Sequence, residues 1–312
     1  MTENTDAATE ATTDEHGTAG RKGENGEVDE NEDEHEHEDV DESENISLAL
    51  AQLAVQAGDL EGNRDRAVEA IERASARGAD LVALPELFTV GYFEFDLYAR
   101  SAEPLEGETL HRLRDAAIEN DVAVLTGSFV EDLAATESVE TPADEGYANT
   151  TALLSSSGDI ELVYRKHHLF GYESAETELL VPGEAIDTAT VCGLTVGVST
   201  CYDLRFPELY RRLVDQGVEL ILVPSAWPYP RLEHWQTLSR ARAIENQCYV
   251  ATINGSGSFE EATLLGRSTV YDPWGTVLAS SGDDSALVMA DVDAGAVSNV
   301  RSRFPALRDR RL

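Results

Sequence analysis

The sequence predicts an α/β domain with two β-sheets whose outer faces are covered by helices. Apolar runs of strand length alternate with amphipathic helical patterns along residues 46–312. Hairpin patterns are mixed into this alternation, which indicates antiparallel strand pairs within the sheets. No linker-like segment divides this region, so we expect a single domain there.

The strands and helices follow from the spacing of apolar residues and from flanking glycine and proline. In chain order, the patterns predict a strand from Ile46, a helix within 58–79, a strand at 81–84, a helix at 107–120, a strand at 122–131, a hairpin at 147–166, strands at 186–191 and 194–200, a helix at 207–216, a strand at 218–224, a helix near 233–247, and strands at 249–254, 268–271, 276–279 and 286–291.

Several of these elements carry their own start or stop signals. The first helix ends near Gly78, and Pro207 occupies the first position of a later helix. A Ser-Ser-Gly turn separates the strands of the hairpin, and Asp-Pro-Trp-Gly at 272–275 forms a turn between two later strands. The acidic stretch 132–146 lacks periodicity and is predicted to be a surface loop.

Residues 1–45 differ in composition from the rest of the chain. They contain 18 Asp and Glu residues against Arg21 and Lys22, a net charge of −16, and almost no large apolar side chains. Such a segment cannot bury enough apolar surface to fold, so we predict a disordered acidic tail. Subtracting its charge from the total of −37 leaves −21 for the remaining 267 residues, so the domain itself is acidic.

The negative net charge argues against anionic partners and indicates a high-salt environment. A surface this negative repels nucleic acid and anionic lipid, so we expect neither as a partner. Lysine occurs only at positions 22 and 166, whereas arginine is plentiful. An acidic, lysine-poor surface favours a protein from a high-salt cytoplasm, where screening reduces the repulsion between carboxylates.

The sequence shows neither a membrane span nor a secretory signal. No run of 18 or more apolar residues occurs, and the N-terminal segment is acidic. Cys192, Cys201 and Cys248 make no disulfide framework and lack the paired spacing of a zinc site. We therefore expect a cytoplasmic protein without a metal.

Three chemically reactive residues stand at, or just beyond, the ends of apolar strands. Glu86 follows LVALP, Lys166 ends the hairpin, and Cys201 follows LTVGVST. Strand ends are where α/β folds collect catalytic groups. If the three residues converge, the carboxylate can take the proton of the thiol and the ammonium can stabilise an oxyanion. This combination suits acyl transfer through a thioester.

Each of these residues also has a structural interpretation. A free cysteine is most often a buried structural thiol, and this is our interpretation of Cys192 and Cys248. Glu86 can be a helix-capping or ion-paired carboxylate, and Lys166 can be a solvated surface lysine. Composition argues against a surface role for the lysine, because the domain uses arginine or glutamate elsewhere.

The histidines allow further interpretations. His167 and His168 follow Lys166 directly and raise the alternative of a cysteine-histidine pair. We favour imidazoles that form hydrogen bonds and shape the loop. His35 and His37 lie in an acidic run without cysteines, which gives little support for a metal site.

The motifs LPELF, YRKHHLF and STCYDLRFPELYR resemble, in this order, the three signatures of the nitrilase superfamily of carbon-nitrogen hydrolases. The resemblance covers essentially all of 46–312. It implies an α-β-β-α four-layer sandwich with two mixed sheets, helices on the outer faces, and a homodimer or higher homo-oligomer. It also implies Glu86 as general base, Lys166 as the oxyanion-stabilising residue and Cys201 as nucleophile, without a cofactor.

The superfamily has a second active-site glutamate, which precedes a Pro-Gly pair after the lysine. Glu176 in ESAETELLVPG occupies this place, and Glu173 is the alternative if the loop is shifted. The resemblance implies that Glu176 orients Lys166 and the pocket.

Within the superfamily, the sequence resembles the branch of omega-amidases and related small amidases. Nitrilases usually have Cys-Trp-Glu at the nucleophile, whereas Tyr202 and Asp203 follow Cys201 here. This difference favours an amide over a nitrile. The resemblance thus implies a small carboxylate-bearing amide, such as a 2-oxo acid amide, which is cleaved to acid and ammonia.

A carboxylate at the far end of the substrate calls for a guanidinium, which can bind it through two hydrogen bonds. Arg231 and Arg205 are our candidates for this contact. The predicted substrate-binding residues are Tyr202, Arg205, Trp227 and Arg231. Arg205 equally allows a structural ion pair with Glu208 or Glu86.

Other functions are compatible with the same sequence. An N-carbamoyl amide hydrolase or a nitrilase on this scaffold would use the same three motifs. A non-catalytic scaffold protein, with the acidic tail as its interaction segment, is an alternative of a different class.

The closing segment VRSRFPALRDRRL contains five arginines in an otherwise acidic chain. Opposite charge favours its contact with the acidic surface. We expect it to dock on a neighbouring subunit or on its own domain.

Overall fold

The computed structural model describes residues 45–172, 174–260 and 262–311. The predicted disordered tail at 1–45 lies, apart from Asn45, outside the described residues, and its disorder stays a prediction. None of the helices among the described residues is long and apolar enough to span a lipid bilayer.

The strands and helices agree closely with the patterns in the sequence. The strands are β1 (Ile46–Gln52), β2 (Leu81–Ala83), β3 (Ala123–Leu125), β4 (Phe129–Asp132), β5 (Tyr147–Leu154), β6 (Ile160–Arg165), β7 (Thr188–Val191), β8 (Leu194–Val198), β9 (Leu220–Ser225), β10 (Tyr249–Asn254), β11 (Ser256–Ser258), β12 (Thr263–Leu265), β13 (Thr269–Tyr271), β14 (Val277–Ser280) and β15 (Ala286–Val292). The helices are α1 (Leu60–Ser75), α2 (Tyr98–Ser101), α3 (Glu108–Glu119), α4 (Glu176–Leu179), α5 (Pro207–Asp215), α6 (Leu232–Asn246) and α7 (Ala294–Arg303), with 3₁₀ turns at Phe95–Leu97 and Cys201–Arg205.

The strands form two mixed sheets and one short hairpin. The first sheet has seven strands in the order β15-β1-β2-β3-β5-β4, with β6 paired to β5. The second has six strands in the order β14-β13-β10-β9-β8-β7, and β11 pairs with β12 separately. Parallel pairs such as β1 with β2 and β8 with β9 lie beside antiparallel pairs such as β5 with β6, as the mixed pattern predicted.

The two faces of β1 pack into different hydrophobic cores, which shows the layers of the fold. Leu48 and Leu50 belong to a core shared with the second sheet, for example with Val250 of β10. Ala49 and Ala51 face the opposite way, into a core shared with α1 and α3. Helix α6 packs against β10 and β13 on the second sheet and contacts α5. The predicted order of helix, sheet, sheet and helix layers is therefore confirmed.

The structure differs from the predicted elements in a few places. The predicted strand at 122–131 is two strands, because Gly127 adopts a left-handed backbone (φ +64°) between β3 and β4. The short elements α2, α4, β11 and β12, and the helix α7, were not predicted. The stretch 132–146 is irregular between β4 and β5, as predicted, although Leu133 is buried within it.

The arginine-rich closing segment docks on its own domain. Arg301 of α7 donates hydrogen bonds to the backbone carbonyls of Gln247 (3.1 Å) and Val218 (2.6 Å). Arg310 forms an ion pair with Asp215 of α5. Cations at the carboxyl end of a helix are favourable, and Gln247 is the C-cap of α6.

Substitution of Gly127 tests whether this residue packs closely against Pro85, just beyond the end of β2. An added Cβ at Gly127 would lie 2.2 Å from the carbonyl oxygen of Pro85, whereas at Gly193 (φ +76°) it would meet no atom within 4 Å. Gly193→Ala is expected to cost about 1–2 kcal/mol of unfolding free energy from its left-handed backbone alone. Gly127→Ala is expected to cost a further ~1–3 kcal/mol from overpacking.

Chemical denaturation of both variants and of the unchanged protein measures this difference. Equal losses of unfolding free energy in the two variants would contradict the predicted contact with Pro85.

Candidate active site

Cys201 stands where β8 ends and the 3₁₀ turn Cys201–Arg205 begins. Its backbone is left-handed (φ +47°), an uncommon conformation for a residue with a side chain, and its surface is 8% exposed. Burial raises the pKa of its thiol well above the ordinary value, the Glu86 carboxylate raises it further, and Lys166 opposes both effects. The resting group is therefore a thiol that needs a base.

Glu86 lies just beyond β2, as predicted, and is 1% exposed. Its Oε1 accepts hydrogen bonds from Lys166 Nζ (2.9 Å) and Asn149 Nδ2 (2.9 Å), and its Oε2 accepts from the backbone N–H of Ala226 (2.9 Å). Burial, together with the charge of Glu176, raises the pKa of Glu86 above its ordinary value, although Lys166 and a hydrogen bond with the Cys201 thiol lower it. The carboxylate thus contacts the thiol from a fixed position.

Lys166 lies directly after β6 and is 1% exposed, so the interpretation as a surface lysine is wrong. Its Nζ donates to Glu86 Oε1 and to both oxygens of Glu176, at 2.8 and 3.0 Å. Burial lowers the pKa of Lys166, but the carboxylates of Glu176 and Glu86 outweigh it and raise the pKa well above its ordinary value. The lysine therefore stays cationic despite its burial.

Glu176 is the first residue of α4 and is fully buried. Besides Lys166, its Oε2 accepts hydrogen bonds from the hydroxyl of Tyr92 (3.0 Å) and the backbone N–H of Phe170 (2.7 Å). The structure therefore places Glu176 beside the lysine, where the resemblance located the second glutamate. The alternative, Glu173, lies outside the described residues.

Two residues that the sequence reasoning missed complete this cluster. Asn149 of β5 donates from one amide nitrogen to Glu86 (2.9 Å) and Glu176 (3.3 Å). Tyr92 donates to Glu176, and its ring lies 5.3 Å from Lys166 Nζ. The only signal for Asn149 was an amide within a strand of buried residues.

A cavity of about 370 Å³ opens in front of Cys201. Its walls are mainly aromatic, and all four predicted substrate-binding residues line it. The lining consists of Tyr92, Phe93, Phe95, Phe170, Tyr172, Ser174, Cys201, Tyr202, Arg205, Ala226, Trp227, Pro228, Tyr229, Pro230, Arg231 and Ala262. A concave apolar site with a few polar groups is the usual form of a small-molecule site.

Two arginines are the charged residues in this described lining. The guanidinium carbon of Arg205 lies 4.8 Å from the ring centre of Trp227, and that of Arg231 lies 5.7 Å from the ring centre of Phe170. Neither arginine forms an ion pair with a carboxylate among the described residues. The structural ion pair that the sequence allowed for Arg205 is therefore not present there.

The other thiols fit the structural interpretation. Cys248 is buried, which raises its pKa to about 12. Cys192 is half-buried, and burial followed by the nearby Asp80 charge raises its pKa to about 11. Neither thiol lines the cavity. Cys201 is thus the thiol that meets both a carboxylate and a cavity.

The chain belongs to the carbon-nitrogen hydrolase family, whose sequence pattern matches residues 47–302. It is therefore an enzyme of the amidase and carbon-nitrogen hydrolase class. Among known proteins, it is 36% identical over 270 residues to the 2-oxoglutaramate amidase of Paenarthrobacter nicotinovorans, covering 85% of this chain and 90% of the relative. It is 33% identical over 273 residues to the human omega-amidase NIT2, covering 85% and 94%.

Solved structures agree with this assignment. Saccharomyces cerevisiae Nit3, a member of branch 10 of the nitrilase superfamily, superposes with a TM-score of 0.76 at 30% identity and covers 86% of this chain and 97% of its own. A mutant amidase from Nesterenkonia sp. AN1 superposes with a TM-score of 0.72 at 30% identity, covering 85% and 94%. That amidase carries the acetamide moiety of fluoroacetamide covalently at its active-site cysteine.

The contact between Glu86 and Cys201 predicts that loss of the Glu86 charge makes the thiol more acidic but the enzyme less active. Because the Glu86 charge and hydrogen bond raise the pKa of Cys201, Glu86→Gln is expected to lower that pKa. The pH midpoint for alkylation of Cys201 by iodoacetamide then moves down, while amide hydrolysis falls about 10²–10⁴-fold for lack of a base.

Intact-mass and peptide mass spectrometry across a pH series measure the alkylation. Cys192 and Cys248 serve as internal controls, since their alkylation is expected to be unchanged. An unchanged or higher midpoint for Cys201 would contradict the assignment of Glu86 as its charged partner.

Proposed function

We propose that this enzyme hydrolyses a small amide with a carboxylate at its far end, releasing the acid and ammonia through a thioester on Cys201. The observation that carries the proposal is the buried cluster of Glu86, Lys166 and Glu176 beside a thiol whose cavity contains two arginines. The resemblance to 2-oxoglutaramate amidase and omega-amidases supports the same substrate class.

In the first step, Glu86 takes the proton of Cys201 as the sulfur attacks the amide carbon. The π electrons of the carbonyl move to oxygen, and Lys166 with the backbone N–H of Tyr202 stabilises the resulting oxyanion. A free thiolate is scarce because the pKa of Cys201 is raised. Proton transfer to a carboxylate in hydrogen-bond contact removes that obstacle.

In the second step, the oxyanion collapses and the carbon-nitrogen bond breaks. The proton on Glu86 passes to the nitrogen, so ammonia leaves and a thioester remains on Cys201. Glu86 then takes a proton from water, whose oxygen attacks the thioester carbon. Collapse of this second intermediate releases the acid and returns the proton to the sulfur.

Lys166 and Glu176 have distinct parts in this proposal. Lys166 is held by two carboxylates, so it is a fixed cation at the position where negative charge develops. Glu176 contacts the lysine with both oxygens and also accepts a hydrogen bond from Tyr92, so it orients the lysine.

The arginines favour a substrate with a carboxylate. Arg205 and Arg231 lie on the cavity wall and have aromatic neighbours in place of acidic partners among the described residues. A carboxylate that enters this cavity gains charge-assisted hydrogen bonds, and guanidinium can supply two in parallel. Such binding at the far end orients the amide carbon toward Cys201.

Arg231→Ala tests this role. The variant is expected to lose about 10–100-fold in kcat/KM for 2-oxoglutaramate, mainly through KM, because a charge-assisted contact is removed. Hydrolysis of butyramide, which lacks the carboxylate, is expected to stay within about threefold, since the chemical groups remain.

Ammonia release is measured for both amides with Arg231→Ala, Arg205→Ala and the control Arg100→Ala, whose residue does not line the cavity. A panel with an N-carbamoyl amino acid and a nitrile compares the alternative reactions. An unchanged KM for 2-oxoglutaramate in Arg231→Ala would remove Arg231 from carboxylate binding.

The proposal includes a homodimer. A patch of exposed apolar residues lies on the side of the second sheet, and its members are Ile244 (50% exposed), Trp274 (53%), Val277 (48%) and Phe304 (54%). The rings of Trp274 and Phe304 are 6.0 Å apart, and the position of Gly275 adjoins Ile244. A second copy related by a two-fold axis offers the same apolar patch and would cover it.

Ile244→Asp is expected to weaken self-association at least ~10-fold, because a charge would be buried at the subunit contact. Ile118 of α3 is equally exposed at 49% and lies outside the patch, so Ile118→Asp is the matched control. Analytical ultracentrifugation over a concentration series measures the change. Equal masses for the two variants and the unchanged protein would contradict the assignment of this patch as the interface.

A high-salt cytoplasm is the proposed setting of the enzyme. The total charge is −37, and the lysine of the described chain is buried. The described surface therefore carries carboxylates and arginines without lysine. Salt screening reduces the self-repulsion of such a surface.

A further inference from the structure

Asp203 is a fully buried carboxylate two residues after Cys201. Its Oδ2 accepts hydrogen bonds from the backbone N–H of Thr200 (2.9 Å) and the hydroxyl of Tyr164 (2.6 Å). Its Oδ1 accepts from the backbone N–H of His168 (2.9 Å) and contacts His168 Nδ1 at 2.7 Å. One side chain thus joins the nucleophile turn to two other segments.

The side chains that bind Asp203 lie on either side of Lys166 in the sequence. Tyr164 precedes Lys166 by two residues and lies on β6, and His168 follows Lys166 by two residues. Tyr164 on β6 and Lys166 directly after this strand are both buried and are two residues apart, the spacing at which side chains of extended chain share a side. Asp203 therefore binds the segment that carries Lys166 both before and after the lysine. It also binds the residue that precedes the nucleophile.

The His168 contact is supported from its other face. The imidazole stacks on the ring of Phe206, with centroids 3.8 Å apart and planes 8° from parallel. Phe206 ends the same 3₁₀ turn that begins at Cys201. The imidazole is consequently held between the carboxylate and the far end of the nucleophile turn.

We propose that Asp203 is a positioning residue that sets the distance between the Cys201 thiol and Lys166 by binding Tyr164 and His168 on either side of the lysine. This inference rests on the proposed role of Cys201 as nucleophile. Cys201 follows β8 of the second sheet and Lys166 follows β6 of the first, and no strand pairing joins these two sheets. Reaction at a thioester centre requires the attacking and stabilising groups to stay within a fraction of an ångström of their places.

The first test is Asp203→Asn, which keeps the side-chain volume and replaces one acceptor oxygen by a donor. We expect kcat to fall about 10²-fold with KM within about threefold, because the groups that act in the transition state shift while the cavity remains. The assay temperature is set well below the Tm of each variant, so that only folded enzyme is compared.

A milder substitution, with a matched control, tests the proposal if Asp203→Asn does not fold. Tyr164→Phe removes one hydrogen bond to Asp203, and Tyr249→Phe is its matched control, since Tyr249 is buried in the second sheet and bonds to Asp293 through its hydroxyl. We expect kcat to fall about tenfold in Tyr164→Phe and to stay within about twofold in Tyr249→Phe.

A conservative rescue at His168 provides a readout that a purely structural role would not produce. His168→Asn retains a nitrogen donor near the place of Nδ1, whereas His168→Ala removes it. We expect His168→Asn to keep kcat within about threefold of the unchanged enzyme and His168→Ala to lose about tenfold. Equal kcat values in all these variants, or a loss confined to Tm, would overturn the proposal.

Alkylation separates failure of this inference from failure of the proposed function. The rate of iodoacetamide reaction with Cys201 needs no amide substrate, and we expect it to fall about tenfold in Tyr164→Phe and His168→Ala, because the thiol moves away from Lys166. If the unchanged enzyme releases no ammonia from any amide, the proposed function fails, and the alkylation rates still decide the role of Asp203. Unchanged alkylation rates would overturn it.

Discussion

The interaction on which the site depends is the burial of one lysine between two carboxylates. Removing three charges from water is costly, and mutual attraction offsets that cost only when every remaining donor and acceptor is satisfied. Asn149, Tyr92 and the backbone N–H groups of Phe170 and Ala226 donate hydrogen bonds to the two carboxylates here. The cluster is thus a polar network whose members hold one another in place, and its electrostatic field acts on the thiol.

The two-sheet architecture supplies these groups from elements far apart in sequence. Glu86 follows β2 in the first sheet, and its backbone N–H and carboxylate contact Ser225 and Ala226 at the end of β9 in the second. Cys201 follows β8 in that second sheet. Strand ends from both sheets therefore meet at one edge, and small shifts between the sheets would separate the base from the nucleophile.

Much of this arrangement could be predicted because it is local in sequence. The apolar runs, Gly78 and Pro207 marked most elements, and Glu86, Lys166 and Cys201 stood at strand ends in recognisable motifs. Asn149 could not be assigned in this way, since its role arises only when β5 lies beside Glu86 and Glu176. The same holds for α4 and α7, which are too short or too weakly amphipathic to stand out and are stabilised by tertiary contacts.

The burial of Lys166 also determines how the protein responds to amine-reactive reagents. Its ammonium is buried in the folded domain, and the chain contains just one other lysine, Lys22. Acylating dyes and cross-linkers that target primary amines therefore find no side-chain partner on the surface of the described domain. Acylation at Lys166 would therefore report that the domain has opened.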